Sequence, residues 1–377
     1  MSRLIRGALA GALAAAAHSA AAQTYPLLVG EVELAVQFDH AYDADTGGEA
    51  HLSDLYADSE ASLALHLSPA WSVQTGLVLE PVRGLTDDRA FDDQGLYVEQ
   101  LFLNYDGGWF SLYAGKFNLG FGLAWDRAPG VYGTDFAEDY EVTEQVGFGG
   151  ALKLETLAHG EHEIGAAVYF ADTSFLSNSA ITRPRFGDAD TGRPRRLRER
   201  NGGPGNTESL ESYVVSLDGG AFPYLPNATY HLSHLRREAG ATETDDEKGY
   251  AAALQVALDL GGGATLTPLV EVAWFDDLGG QPQDATYVTW GAELAFAPWS
   301  LSFSQTMRRL DEADDGSGPL GGDARDRLTQ ASVGYDFENG LGLAAGVKHE
   351  RVQGVDTSFV GFVVSYDLDF QIGGRRN

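Results

Sequence analysis

The sequence predicts an all-β chain, specifically a transmembrane 16-stranded antiparallel up-and-down β-barrel, and three observations lead there. Apolar and polar residues alternate with period two in segments of about ten residues, the length a tilted strand needs to cross hydrocarbon. The connections between segments alternate between short turns and long charged loops. Aromatic residues gather at the segment ends, where an interface between hydrocarbon and water would hold them.

The N-terminus sets the solvent for the rest. Ser2, Arg3 and Arg6 precede a small apolar run over residues 7–17, and Ala20-Ala21-Ala22 offers a cleavage site before Gln23. Residues 1–22 are therefore expected to be a secretory signal peptide, the apolar run being too short to span a bilayer, with residues 23–377 forming the barrel. Losing Arg3 and Arg6 takes the net charge from −30 to −32. Such acidity excludes nucleic acid as a partner, since phosphate binding needs a basic face. There is no cysteine, so no disulfide stabilises the exported chain. No run of 18 apolar residues follows the leader, which excludes membrane-spanning helices.

The first segment sets Leu28, Val32, Leu34, Val36 and Phe38 against Glu31, Glu33, Gln37 and Asp39. The last sets Val360, Phe362, Val364, Tyr366, Leu368 and Phe370 against Gly361, Ser365, Asp367 and Asp369. Between them lie fourteen further segments: 55–67, 71–81, 96–105, 109–116, 146–154, 164–170, 213–217, 228–235, 250–260, 264–275, 288–296, 299–307, 329–337 and 341–349. The total is even, as single-chain bacterial barrels require. Ser68-Pro69-Ala70, Asp106-Gly107-Gly108, Gly261-Gly262-Gly263, Ala297-Pro298 and Glu338-Asn339-Gly340 are turn-formers. The alternate connections, 39–53, 117–145, 171–207, 236–249 and 308–327, are long and charged. Trp71, Tyr105, Trp109, Trp299, Phe337 and Phe370 sit beside the short turns, and Phe38, Phe170, Tyr250 and Trp274 towards the loops.

This plan resembles that of Gram-negative porins over the whole mature chain. The final strand resembles their insertion signal, although seven residues follow Phe370, and Gly115-Lys116-Phe117-Asn118-Leu119-Gly120-Phe121-Gly122 is similar to the region before the third loop in phosphate-selective-type porins. The resemblance implies a cell outer-membrane location, contact with outer-membrane lipid and lipopolysaccharide, passage of small hydrophilic solutes, and a homotrimer as one form of assembly.

Parity independently places Glu31, Glu33, Asp58, Glu60, Gln74, Glu80, Lys153, Glu163, Gln255, Glu271, Glu293 and Lys348 on the inner wall. Buried unpaired carboxylates would be too costly in a dry core, so this wall is expected to face water and line a pore. Segments 96–105 and 109–117 carry apolar residues on both faces. Loop 118–145, which holds Trp125, Tyr132, Phe136 and Tyr140, is expected to fold into the lumen and cover them, with Asp135, Glu138, Asp139 and Glu141 near a constriction. Packing against a partner barrel is the alternative account of those two segments.

Loop 171–207 carries Arg183, Arg185, Arg193, Arg195, Arg196, Arg198 and Arg200. This basic run is read as an outer rim for arriving anions or lipopolysaccharide phosphates. The functional reading is passive diffusion with weak cation selectivity. Its alternatives are an anion-, phosphate- or siderophore-selective channel and, from other classes, a barrel enzyme or surface-binding protein. Chemistry is sparse. His159 and His162 lack the spacing of zinc hydrolases. His231 and Ser233 share a strand face but His234 points away, so they make only a superficial nucleophile and base. Residues 311–316 resemble a calcium loop in which Ala313 and Gly322 occupy ligand positions. No catalytic residue, metal site or cofactor is expected.

Overall fold

The computed structural model describes residues 24–45, 51–156, 160–182, 196–312 and 323–373. Sixteen antiparallel strands close on themselves. They are β1 (Leu27–Ala44), β2 (Ser53–Ala57 and Ser59–His66), β3 (Trp71–Pro81), β4 (Gln94–Asp106), β5 (Phe110–Phe117), β6 (Gln145–Thr156), β7 (Gly160–Ala171) and β8 (Ser212–Gly220). There follow β9 (Ala228–Arg237), β10 (Glu247–Val256 and Leu258–Gly261), β11 (Ala264–Asp276), β12 (Gln283–Phe296), β13 (Trp299–Glu312), β14 (Ala324–Asp336), β15 (Leu341–Val352) and β16 (Val355–Gly373). Each strand pairs with its successor, and β1 pairs with β16 from Leu27↔Gly373 to Ala44↔Thr357. Closure matters because hydrocarbon offers no partner for an unpaired strand edge.

The outer surface is apolar. Along β13, Trp299, Leu301, Phe303 and Met307 are each 40–45% exposed, while the intervening Ser304 and Thr306 are 1% exposed. At the short-turn end Trp71 packs on Tyr105 and Trp299 on Tyr335, each with ring centroids 4.8 Å apart. Towards the loop end His234, Tyr250 and Trp274 stack in one row across β9, β10 and β11. These are the two aromatic girdles of a membrane-spanning barrel.

Two features depart from simple alternation. In β4 the partner register passes from Val98 directly to Gln100, leaving Glu99 as a bulge. The bulge exchanges the faces: Leu96 is exposed before it, whereas Leu103 is exposed after it with Gln100 and Phe102 buried. That accounts for part of the two-sided apolar pattern of 96–105. The last loop-end connection is also short, a two-residue turn at Gln353-Gly354 with φ of 50° and 84°. Both central residues sit at positive φ, as in a type I′ hairpin turn.

Candidate functional site: the lumen and the third loop

After β5 the chain enters residues 118–144 and crosses the barrel interior. Its core is apolar: Phe121, Trp125, Ala137 and Tyr140 are fully or almost fully buried against Phe275, Tyr287 and Leu310 of the wall. The Tyr140 ring stands 4.9 Å from Tyr287 and 5.8 Å from Phe275. Phe102, Tyr113 and Phe117 join the same cluster, so the inward apolar residues of β4 and β5 are covered from inside.

Polar contacts fasten the loop at both ends and along its length. Lys116 closes β5 with no side-chain exposure, its Nζ 2.6 Å from Glu144 and 3.0 Å from Asp172. It thus ties the loop's exit to its return and to the fourth loop. Gly122, at φ 70°, turns the backbone so that successive N–H groups meet the wall. Gly122 donates to Ser233 Oγ at 3.3 Å, and Leu123 and Ala124 donate to the Glu271 carboxylate at 2.5 and 3.1 Å. Tyr140 Oη donates to Glu271 at 2.5 Å. Burial, and then the Glu271 carboxylate, push the Tyr140 phenol well above its ordinary value, which keeps it protonated as a donor. Farther along, Gln330 donates to Pro129 O, Val131 N to Ser332 Oγ, and Tyr132 Oη to Asp39.

Several expected pore-lining residues belong to these fastenings. Glu271 is 1% exposed and sealed beneath the loop, so it is a tether and not water-facing wall. Lys348 is likewise engaged by the loop. Its Nζ lies 2.9 Å from Asp135 and 3.1 Å from Glu350, sandwiched between the Tyr132 and Phe359 rings. Asp139 accepts from Arg308 Nη1 at 2.6 Å and from Tyr287 Oη, while Arg308 also holds Asp326. Glu138 accepts from Thr134, and Glu141 is half-buried. For Glu271, Lys348 and Asp139 the partner comes from across the lumen, and strand parity alone does not reveal it. Parity does place Arg308 and Asp326 inward and opposite one another, a signal available in the sequence.

Other wall residues open onto water. Glu33, Asp58, Glu60 and Glu293 line an open cavity on the short-turn side of the third loop, together with Asp126, Asp336 and Arg127. Glu31, Glu33 and Glu60 continue it with Asp367 and Asp369. Lys153 faces Glu163 across the β6–β7 pair. In the fourth loop Arg196, Arg198 and Arg200 are exposed, Arg196 donating to Thr173 O; they are not part of the cavity lining. Arg183, Arg185, Arg193 and Arg195 lie outside the described residues, as do residues 1–22 and the candidate calcium loop from Ala313.

One arrangement exceeds its sequence reading. Asp218, from β8, stands 2.7 Å from His231 Nδ1, and His231 Nε2 stands 2.9 Å from Ser233 Oγ. The order of groups is that of a hydrolytic triad, but the surroundings are not. His231 and Ser233 are buried beneath the third loop, and the adjoining backbone donors of Leu123 and Ala124 are already taken by Glu271. The row supports the loop through Gly122. Among the described residues, no group of three His, Asp or Glu side chains is placed to hold a metal ion.

No protein-family model matches the sequence, and no curated protein matches it. Solved structures do match in fold. The outer membrane channel DcaP of Acinetobacter baumannii superposes with TM-score 0.59 at 8% identity, over 93% of this chain and 100% of its own. OprB of Pseudomonas putida gives 0.59 at 13% identity, over 90% and 94%. OccK1 of Pseudomonas aeruginosa gives 0.50 at 12% identity, over 91% and 99%. The class is thereby a closed transmembrane barrel of the outer-membrane type.

Proposed function

We propose that this chain is an outer-membrane channel for passive diffusion of small hydrophilic solutes and ions, weakly selective for cations. The observation that carries the reading is the open, carboxylate-lined cavity left beside a loop that crosses the lumen. A sixteen-stranded barrel is wide enough for a water-filled lumen, and a loop fastened across it leaves the narrowest passage beside itself. Residues 1–22 are then the export signal, the termini face the periplasm, and the long loops face outward.

Glu31, Glu33, Asp58, Glu60 and Glu293 set the sign of the field, with Arg127 as the opposing charge. A low-dielectric wall strengthens that field inside the passage. Asp135 and Asp139 contribute less than their number suggests, because Lys348 and Arg308 neutralise them. Planar-bilayer recording is expected to give ohmic conductance and a reversal potential favouring K⁺ under a KCl gradient. Changing Glu33, Glu60 and Glu293 to Gln should move that potential towards zero. An anion-favouring potential in the wild type would reject the cation reading and support the anion-selective alternative.

A further inference from the structure

The outward face of β13, β14 and β15 at the loop end carries a cluster of arginines that the channel does not use. Arg309 pairs directly with Arg325, and Arg327 directly with Arg351. All four are exposed, and His349 stands beside Arg351 on the same face of β15. Side chains directly opposite on one face of an antiparallel pair lie within about 5 Å at Cβ, and like charges there repel. Two such pairs on three adjacent strands are therefore unfavourable unless an anion sits between them.

Among the described residues, carboxylates answer only part of this positive charge. Asp311 lies 2.9 Å from Arg309, and Asp356 lies 3.9 Å from Arg351 and 3.4 Å from His349. Asp323, just before β14, is exposed and has a partner of its own. Among the described residues no carboxylate stands within ion-pair distance of Arg325 or Arg327. In a protein of net charge −30, Glu33, Asp58, Glu60 and Glu293 line the lumen while this cationic group faces outward.

Its height is informative. Arg309 stands ten residues from Trp299, and Arg325 ten from Tyr335, the edge-to-face pair at the short-turn girdle. At ~3.3 Å per residue and ~40° tilt this is about 25 Å, the height of a barrel's apolar band. The exposed Met307, directly opposite Arg327, marks the apolar surface continuing up to the cluster. The guanidinium groups thus lie where hydrocarbon gives way to headgroups at the loop end.

We propose that Arg309, Arg325, Arg327 and Arg351 form a docking site for the phosphate groups of a phosphorylated glycolipid in the outer leaflet, of the lipid A type. Planar guanidinium groups bind phosphate through two parallel hydrogen bonds, and a phosphomonoester between two strands relieves both repelling pairs. The acyl chains would lie along the apolar face below. The site rests on the outer-membrane reading above, and it places glycolipid contact on the barrel wall instead of the fourth loop.

The test uses the full-length barrel in detergent micelles, titrated with diphosphoryl lipid A and read by native mass spectrometry. Replacing all four arginines by Ser should weaken binding at least about tenfold, with R327S/R351S intermediate. Dephosphorylated lipid A should bind the wild type as weakly as diphosphoryl lipid A binds the fourfold variant. R196S/R198S/R200S should bind like the wild type. Heat-modifiable gel mobility checks folding, and the double variant serves if the fourfold one does not fold. Equal binding by wild type and variants would overturn the proposal. So would loss confined to the fourth-loop variant, or equally effective competition by inorganic phosphate or phosphatidylglycerol micelles. Lipid A binding with no conductance would instead remove the channel reading and leave this site standing.

Discussion

Removing residues 130–141 and joining the ends through a short Gly-Ser linker is expected to raise single-channel conductance about two- to threefold with the barrel intact. The deleted stretch holds Tyr132, Asp135, Phe136, Asp139 and Tyr140, the side chains that span the lumen to β1, β11, β12, β13 and β15. The wall tolerates their loss unevenly. Arg308 retains Asp326 and Lys348 retains Glu350, so neither cation is left without a carboxylate. Glu271 keeps the N–H groups of Leu123 and Ala124. The strand ladders, which hold the barrel closed, are untouched. Planar-bilayer recording measures the conductance, and heat-modifiable migration measures folding. Unchanged conductance in a folded variant would show that residues 130–141 do not set the narrowest point.

The barrel was legible because lipid and water impose a two-residue period that survives great divergence in sequence. Trp299 to Met307 declare their faces without any tertiary information, as do the turn-formers at Gly261-Gly262-Gly263. The bulge at Glu99 was not legible. Nothing in Leu96-Tyr97-Val98-Glu99-Gln100 marks where parity changes, since both faces carry large residues, Leu96 facing outward and Tyr97 packing inward on Val78 and Val82. The lumen was legible as a list of inward charges but not as a set of partners. Glu33 and Glu60 meet water, whereas Glu271 and Lys348 reach a loop more than a hundred residues away in sequence. Parity assigns a side chain to a face; only the path of the third loop decides which inward charges become tethers. The same limit hid the alignment of Asp218 with His231, which depends on the register of β8 against β9.

Glu271→Ala is expected to be the most damaging single substitution in the loop's anchorage, costing about 3–5 kcal/mol of loop docking. The carboxylate accepts three hydrogen bonds, from two backbone N–H groups and the Tyr140 phenol, at a site 1% exposed. Alanine strands all three donors in a pocket closed by Phe121, Tyr140 and Phe275, where water has little room to replace the oxygen atoms. Gln is gentler and still harmful: one oxygen remains an acceptor, but its amide NH₂ meets donors where the second oxygen stood. The order wild type, Gln, Ala should therefore appear in any measure of loop mobility. Trp125 supplies one. It is 3% exposed inside the lumen, its indole N–H donating to Phe121 O at 2.9 Å, while Trp71, Trp109, Trp274, Trp290 and Trp299 face the lipid side. In bilayer vesicles an aqueous quencher reaches Trp125 only through the channel, so quenching should rise from wild type to Gln to Ala, together with open-channel current noise. Unchanged quenching and noise in the Ala variant would mean that the aromatic cluster alone holds the loop, and that Glu271 contributes nothing to its position.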